Sequence, residues 1–279
     1  MQNAGLRPRK RLGQSFLIDT RVLDTIVEAA ELSPDDVVLE IGAGTGILTQ
    51  RLAQSSASVI AVELDNGFFR ILQSTFQDKS NVDVIHADIL DLDFSTLIPR
   101  TQRPTIKVVG NLPYYITTPI LMKVLDESSR LPVGMFLAMV QKEVGMRMAA
   151  SPGTKDYGAL SIAIAYRSDI KILKRVSAAS FYPKPAVDSV LVKMNVRTSP
   201  PVDVADERLF FNVVKGAFQY RRKTLRNALL LAGKAGEARL SEDSVDSALQ
   251  ALKIDPKRRG ETLSMAEFAD LANTLAHDE

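Results

Sequence analysis

Asn111-Leu112-Pro113-Tyr114 is a compact device for handling an aromatic amine. The Asn side-chain carbonyl and the backbone carbonyl beside it are two acceptors without competing charge. A planar exocyclic NH₂ that donates to both loses conjugation with its ring and bares its lone pair to an electrophile. Pro113 holds φ near about −65° and has no N–H, so the turn is stiff. Tyr114 then offers a flat face on which a base swung out of its stack can lie. Asn and Pro are also ordinary turn residues, so the tetrapeptide needs a setting before it means anything.

The setting is an alternation of strands and helices. Apolar, β-rich runs predict buried strands over Val37–Ile41, Val59–Leu64, Val82–His86, Ile106–Gly110 and Met135–Val140. Helical spacing predicts helices over Val22–Ala30, Gly46–Gln54, Phe68–Phe76 and Pro119–Leu125. Near-continuous apolar strands between helices imply an α/β chain with a parallel, doubly wound, Rossmann-like sheet. Pro119 suits a first helical turn, with Thr117 and Thr118 as caps. A helix over Tyr157–Tyr166 precedes two runs, Ile170–Val176 and Val187–Val196, which fit a closing antiparallel pair. Thr198-Ser199-Pro200-Pro201 reads as a linker. Helices predicted beyond it, over Arg208–Tyr220, Lys223–Leu231, Ser244–Leu252 and Met265–Leu275, make a small all-helical domain. The expected domains are therefore residues 1–198, with a basic arm over 1–18, and 203–279.

Glu40-Ile41-Gly42-Ala43-Gly44-Thr45-Gly46 follows the first of the five strands and opens a helix. A dinucleotide fingerprint, G-x-G-x-x-G, would need a third Gly at position 47, where Ile47 stands. The pattern G-x-G-x-G, with an acid two residues before its first Gly, suits a ligand with a cationic centre and no pyrophosphate. S-adenosylmethionine is such a ligand. Glu63 ends the next strand, where a carboxylate can accept from both ribose hydroxyls. Asp88 closes the following one, in reach of an adenine amine, and Asn111 the one after. All four sites fall at carboxyl ends of parallel strands, where open α/β sheets bind ligands.

Composition excludes other chemistry. With no Cys there is neither a disulfide nor a thiolate metal site. His86 and His277 stand far apart, which leaves little room for a His-based metal or general-base site, and no metal is expected. The longest apolar run, Val133 to Val140, is far too short for a bilayer, and no apolar stretch follows the basic N-terminus as in a secretory signal. The expected setting is the reducing cytoplasm. Net charge is only +2, yet Arg7, Arg9, Lys10 and Arg11 crowd the N-terminus. From Arg208 to Gly236 the chain carries Arg221, Arg222, Lys223 and Arg226 among its cations, and no acid; Lys257, Arg258 and Arg259 follow. Such clusters are the footprint of a phosphate-backbone binder.

Five segments together resemble the rRNA adenine N6-dimethyltransferase family, in its bacterial small-subunit branch. They are Arg9–Leu17 (RKRLGQSFL), Glu40–Gly46, Asn111–Tyr114, Phe181–Ser189 (FYPKPAVDS) and Phe218–Asn227 (FQYRRKTLRN). The resemblance implies a methyltransferase domain and a helical RNA-binding domain. It also implies transfer of methyl groups from S-adenosylmethionine to the N6 amines of two adjacent adenines. These lie in the 3′-terminal hairpin of 16S rRNA, in immature 30S subunits, and the enzyme would act as a monomer away from membranes. Carried over, Ser15 and Leu17 flank the methionine end of the cofactor, Gly42 and Gly44 form its floor, Glu63 holds the ribose, and Asp88 with Ile89 frames the adenine. Asn111 and the Leu112 carbonyl hold the target amine, and Tyr114 and Phe181 sandwich the target base. Arg9, Lys10, Arg11, Arg221, Arg222, Lys223 and Arg226 face RNA. Ser15 stands where the family usually has Asn, and Ala43 where many relatives have Pro. A macrolide-resistance type enzyme would favour Asn-Ile over Asn111-Leu112, and a non-catalytic assembly factor would lose Asn111 or the glycine turn. Protein-glutamine or DNA-adenine methylation shares Asn-x-Pro-Tyr but leaves the basic helical domain unexplained.

Overall fold

A computed structural model describes residues 14–56, 58–97, 105–235 and 240–276. Arg9, Lys10, Arg11 and His277 lie outside the described residues. The described chain forms two compact units: one runs through Gly145 and adds Asp169–Val196, the other comprises Met146–Ser168 and Arg197–Glu279.

In the first unit, a helix α1 (Thr20–Ala30) follows a two-residue strand β1 (Phe16–Leu17), and its first turn is capped by the Asp19 carboxylate. Strands β2 (Val37–Ile41), β3 (Ser58–Glu63), β4 (Val82–His86) and β5 (Ile106–Asn111) alternate with helices α2 (Ile47–Leu52), α3 (Asn66–Phe76) and α4 (Thr117–Glu127). Strand β6 (Val133–Gln141) follows, then α5 (Lys142–Met148). Every residue of β2 is buried, as its continuous apolar run demands of a strand covered on both faces. After α6 (Ala159–Arg167) come β7 (Ser168–Val176), β8 (Phe181–Tyr182) and β9 (Ser189–Val196).

The sheet has seven strands in the order β4-β3-β2-β5-β6-β9-β7, parallel from β4 to β6, with β9 antiparallel to β6. The chain builds outward from β2 in one direction through β3 and β4, then returns to the other side of β2 as β5. This reversal, between β2 and β5, is the switch point where open α/β sheets leave a crevice at their carboxyl ends. Ile41 pairs with Gly110 there, so the glycine turn after β2 and the Asn111 turn after β5 face each other. Strands β1 and β8 pair separately as a small antiparallel ribbon, Phe16 opposite Tyr182 and Leu17 opposite Phe181. Two-residue strands have no period to read, and nothing in the sequence predicted this ribbon.

The second unit packs α6 with α7 (Glu207–Gln219), α8 (Leu225–Lys234), α9 (Glu242–Ala251) and α10 (Met265–Ala276). Tyr157, Ile162 and Tyr166 share one core with Phe210, Val213 and Phe268. Residues 146–168, placed in the first domain by chain order, therefore pack with the helical unit, because they bury their apolar side chains there. One helix start also differs from expectation. α4 begins at Thr117 without a side-chain cap, and the Thr117 hydroxyl donates instead to the Pro113 carbonyl at 2.9 Å.

Candidate active site

An open cleft lies at the switch point. Its lining includes Ser15, Phe16, Gly42, Gly44, Glu63, Asp88, Ile89, Asn111, Leu112 and Tyr114. The glycine turn floors it. Gly42 and Gly44 have φ of +74° and +56°, left-handed values that side chains rarely adopt. A Cβ on Gly44 would come within 2.8 Å of the Phe16 ring, while one on Gly42 would meet nothing closer than the Asn111 carbonyl oxygen at 3.8 Å. Backbone at Gly42 is thus bare to a ligand.

Glu63 is buried and braces this turn. Its Oε2 accepts from the Gly44 N–H at 2.8 Å and its Oε1 from the Asp65 N–H at 2.7 Å. A carboxylate offers about four lone-pair directions, so two bonds leave acceptor capacity toward the cleft for a pair of hydroxyls. Burial raises the Glu63 carboxyl above its ordinary range, against the pull of those two N–H donors. Asp88 lies two residues past the end of β4, where its Oδ1 accepts from the Leu90 N–H at 2.9 Å.

At the other end of the cleft, the Asn111 Nδ2 donates to the Ser15 backbone carbonyl at 2.8 Å. That bond holds the amide NH₂, and the side-chain carbonyl oxygen has no hydrogen bond among the described residues. The Leu112 N–H donates to the Met139 carbonyl at 3.1 Å, which anchors this turn to β6. Pro113 has φ −59°. The Tyr114 hydroxyl pairs with the Ser189 hydroxyl at 2.8 Å, so its ring is tethered from behind. Burial raises the Tyr114 phenol, which stays neutral at physiological pH.

Three of the expected site residues stand differently from their expected places. Phe181 is not among the residues lining the cleft; it is 3% exposed and belongs to the core, because the β1–β8 ribbon turns Leu17 and Phe181 inward together. Leu17 accordingly lines only a smaller cavity beside Glu40, Gly42 and Asn111, and Phe16 takes the main cleft. The Ser15 hydroxyl donates to the Pro183 carbonyl at 2.7 Å, so its side chain ties down the segment after β8 while the residue lines the cleft. Phe16, Tyr115 and Ile116 also line the cleft, and the sequence did not mark them, since apolar lining carries no motif. His86 stacks on Phe69 and bonds the Leu64 carbonyl, an ordinary structural place.

Glu40, the acid before the glycine turn, is 2% exposed, and its Oε2 has no hydrogen-bond partner among the described residues. Burial pushes its carboxyl up to about 8, and the neighbouring Glu63 charge adds to the rise. An acid that holds its proton more tightly when folded loses stability for the fold as pH climbs from its ordinary 4.5 to about 8. The slope is up to about 1.4 kcal/mol per pH unit. Glu40→Gln should therefore flatten the fall in melting temperature of the cofactor-free protein between those two pH values. Matching pH profiles for the two proteins would refute the buried neutral acid.

The basic run in the helical unit is less available than its sequence suggests. Arg226 is ion-paired with Asp246 at 2.5 Å and with Glu242 at 2.6 Å, acids supplied by α9. Arg221 donates to the Lys155 carbonyl at 2.8 Å. Arg222 and Lys223 are exposed and carry no ion pair among the described residues.

A glycine-floored cleft at the carboxyl edge of a parallel sheet, with an Asn-Leu-Pro-Tyr turn at its end, marks a Rossmann-like, S-adenosylmethionine-dependent methyltransferase. The family model for ribosomal RNA adenine dimethylase matches residues 5–274. The chain belongs to that family of S-adenosylmethionine-dependent rRNA adenine dimethyltransferases. It is 46% identical to a ribosomal RNA small subunit methyltransferase A of Moorella thermoacetica, over 99% of this chain and 96% of the relative. The protein of the same name from Geobacillus thermodenitrificans is also 46% identical, over 97% and 92%. A crystal structure of a dimethyladenosine transferase from Plasmodium falciparum superposes with a TM-score of 0.75 at 25% identity, covering 92% of this chain and 95% of that one. The 23S rRNA methyltransferase ErmE shares the fold, with a TM-score of 0.68 at 24% identity, over 94% and 99%.

Proposed function

We propose that the protein dimethylates the N6 amines of two adjacent adenines in the 3′-terminal hairpin of 16S rRNA, acting as a cytoplasmic monomer on immature 30S subunits. The observation that supports this reading is the Asn111 amide, held through its Nδ2 by the Ser15 carbonyl in a cleft that Leu112, Pro113 and Tyr114 also line. The small-subunit name of the relatives from Moorella and Geobacillus supports the choice of rRNA.

When bound, S-adenosylmethionine supplies a methyl group already activated on a sulfonium. Glu63 and the glycine turn hold and orient it. Asn111 and the Leu112 carbonyl accept from the N6 amine and turn its lone pair toward that methyl, and Tyr114 supports the flat base. Alignment carries the rate. The methylated amine is acidic enough to lose its proton to water, and among the described residues no His lines the cleft. No general base is needed in this scheme. The test is incubation with a labelled methyl donor and small subunits lacking the modification, followed by mapping of the methylated bases; label on other bases, or none, would sink the assignment.

Arg222 and Lys223 are neighbouring exposed cations open to phosphate. Replacing both with Ala should weaken binding to small subunits and lower the slope of log affinity against log salt by about 2, one for each lost phosphate contact. An unchanged slope would remove them from the RNA face. The same change at Arg226 should cost fold stability more than RNA affinity.

A further inference from the structure

The β1–β8 ribbon places one aromatic residue where no motif asked for it. In an antiparallel pair, opposed residues project to the same face and successive ones alternate. Leu17 and Phe181, opposed, both enter the core. Phe16 and Tyr182, also opposed, must leave on the other face. On that face Phe16 lines the cleft, with its ring centroid 4.8 Å from that of Phe68, and Tyr182 lies outside the cleft lining. Tyr182 is 55% exposed and has no ring partner among the described residues.

Two hydrogen bonds couple this position to the amine acceptor. Pro183, next to Tyr182, accepts from the Ser15 hydroxyl at 2.7 Å, and the Ser15 carbonyl accepts from Asn111 at 2.8 Å. Lys184, two residues past Tyr182, is exposed without an ion pair among the described residues. An exposed aromatic face followed by a free cation is the pairing that holds a nucleotide by its base and its phosphate. A base swung into the cleft brings its chain neighbour to the rim, unstacked on the side it has left.

We propose that Tyr182 is the stacking platform for the base adjoining the adenine under methylation, with Lys184 meeting the phosphate beside it. This rests on the dimethyltransferase reading and adds a second base subsite to it. Where the two targets are neighbours, the subsite holds one while the other reacts. Tyr182 is then a substrate-positioning residue and touches no reacting atom.

The experiment compares Tyr182→Ala, Tyr182→Phe and the unaltered protein in steady-state methylation of unmodified small subunits, with cofactor affinity by calorimetry. Loss of one base–aromatic stack predicts a rise in KM for the subunit of about 5- to 150-fold in Tyr182→Ala. kcat, cofactor affinity and melting temperature should hold, and Tyr182→Phe should restore KM because the ring is kept. An unchanged KM, or a loss of cofactor binding in step with it, overturns the subsite. If the unaltered protein fails to methylate small subunits, the functional reading itself fails. The subsite is then decided by short RNAs carrying 2-aminopurine beside an adenine. Fluorescence quenched by the unaltered protein and Tyr182→Phe but not by Tyr182→Ala supports it; no such difference overturns it.

Discussion

Asn111→Ala should lower the rate of methyl transfer to small subunits by about 10²- to 10³-fold, the scale seen when one preorganised polar partner of a reacting centre is removed. The substitution deletes the side-chain acceptor for the amine and also frees the Ser15 carbonyl that the amide now engages. Leu112 remains, anchored through Met139, so one acceptor survives and activity falls without vanishing. Because the interaction strengthens as the amine lone pair is bared, the loss belongs in kcat more than in KM for RNA. Asn111→Asp is the sharper variant. It keeps an acceptor oxygen but cannot donate to Ser15, and sets a negative charge against that carbonyl. It should be as slow as Ala. Single-turnover rates for either variant that match the unaltered protein would remove Asn111 from the chemistry.

Glu63→Ala should weaken cofactor binding by about 10²- to 10³-fold, since a carboxylate accepting hydroxyls in a buried place makes strong, charge-assisted bonds. The same carboxylate holds the Gly44 and Asp65 N–H groups, so its removal also loosens the turn that floors the cleft. RNA affinity should stay unchanged, because Glu63 faces the cleft floor and is 7% exposed. Equal losses of cofactor and RNA binding would defeat the assignment. A pH dependence follows from the raised Glu63 carboxyl. Ribose hydroxyls favour its ionised form, so cofactor affinity should fall as pH drops through that raised range. Glu63→Ala should bind weakly with no such fall.

Much of this site is legible in the amino-acid sequence. Strand–helix alternation predicts the sheet, and β2 and β4 run over the residues their apolar pattern marks, Val37–Ile41 and Val82–His86. Order along the chain then puts Gly42, Gly44, Glu63, Asp88 and Asn111 at one edge, and all of them line one cleft. Each of these motifs stands out in sequence because it needs a particular atom: a missing Cβ, a carboxylate, an amide.

What the sequence by itself determined was therefore the placement of its chemical groups: an Asn amide, left-handed glycines and acids at successive strand ends, all on one cleft. Pairing across the chain decided the rest. Residues 14–17 and 181–183 lie far apart in sequence, and only their ribbon register shows Phe181 in the core and Tyr182 on the opposite face. A stretch without acids from Arg208 to Gly236 still receives Glu242 and Asp246 from α9, which neutralise Arg226. Side-chain facing and ion pairing depend on distances in space, and composition along the chain carries no record of them.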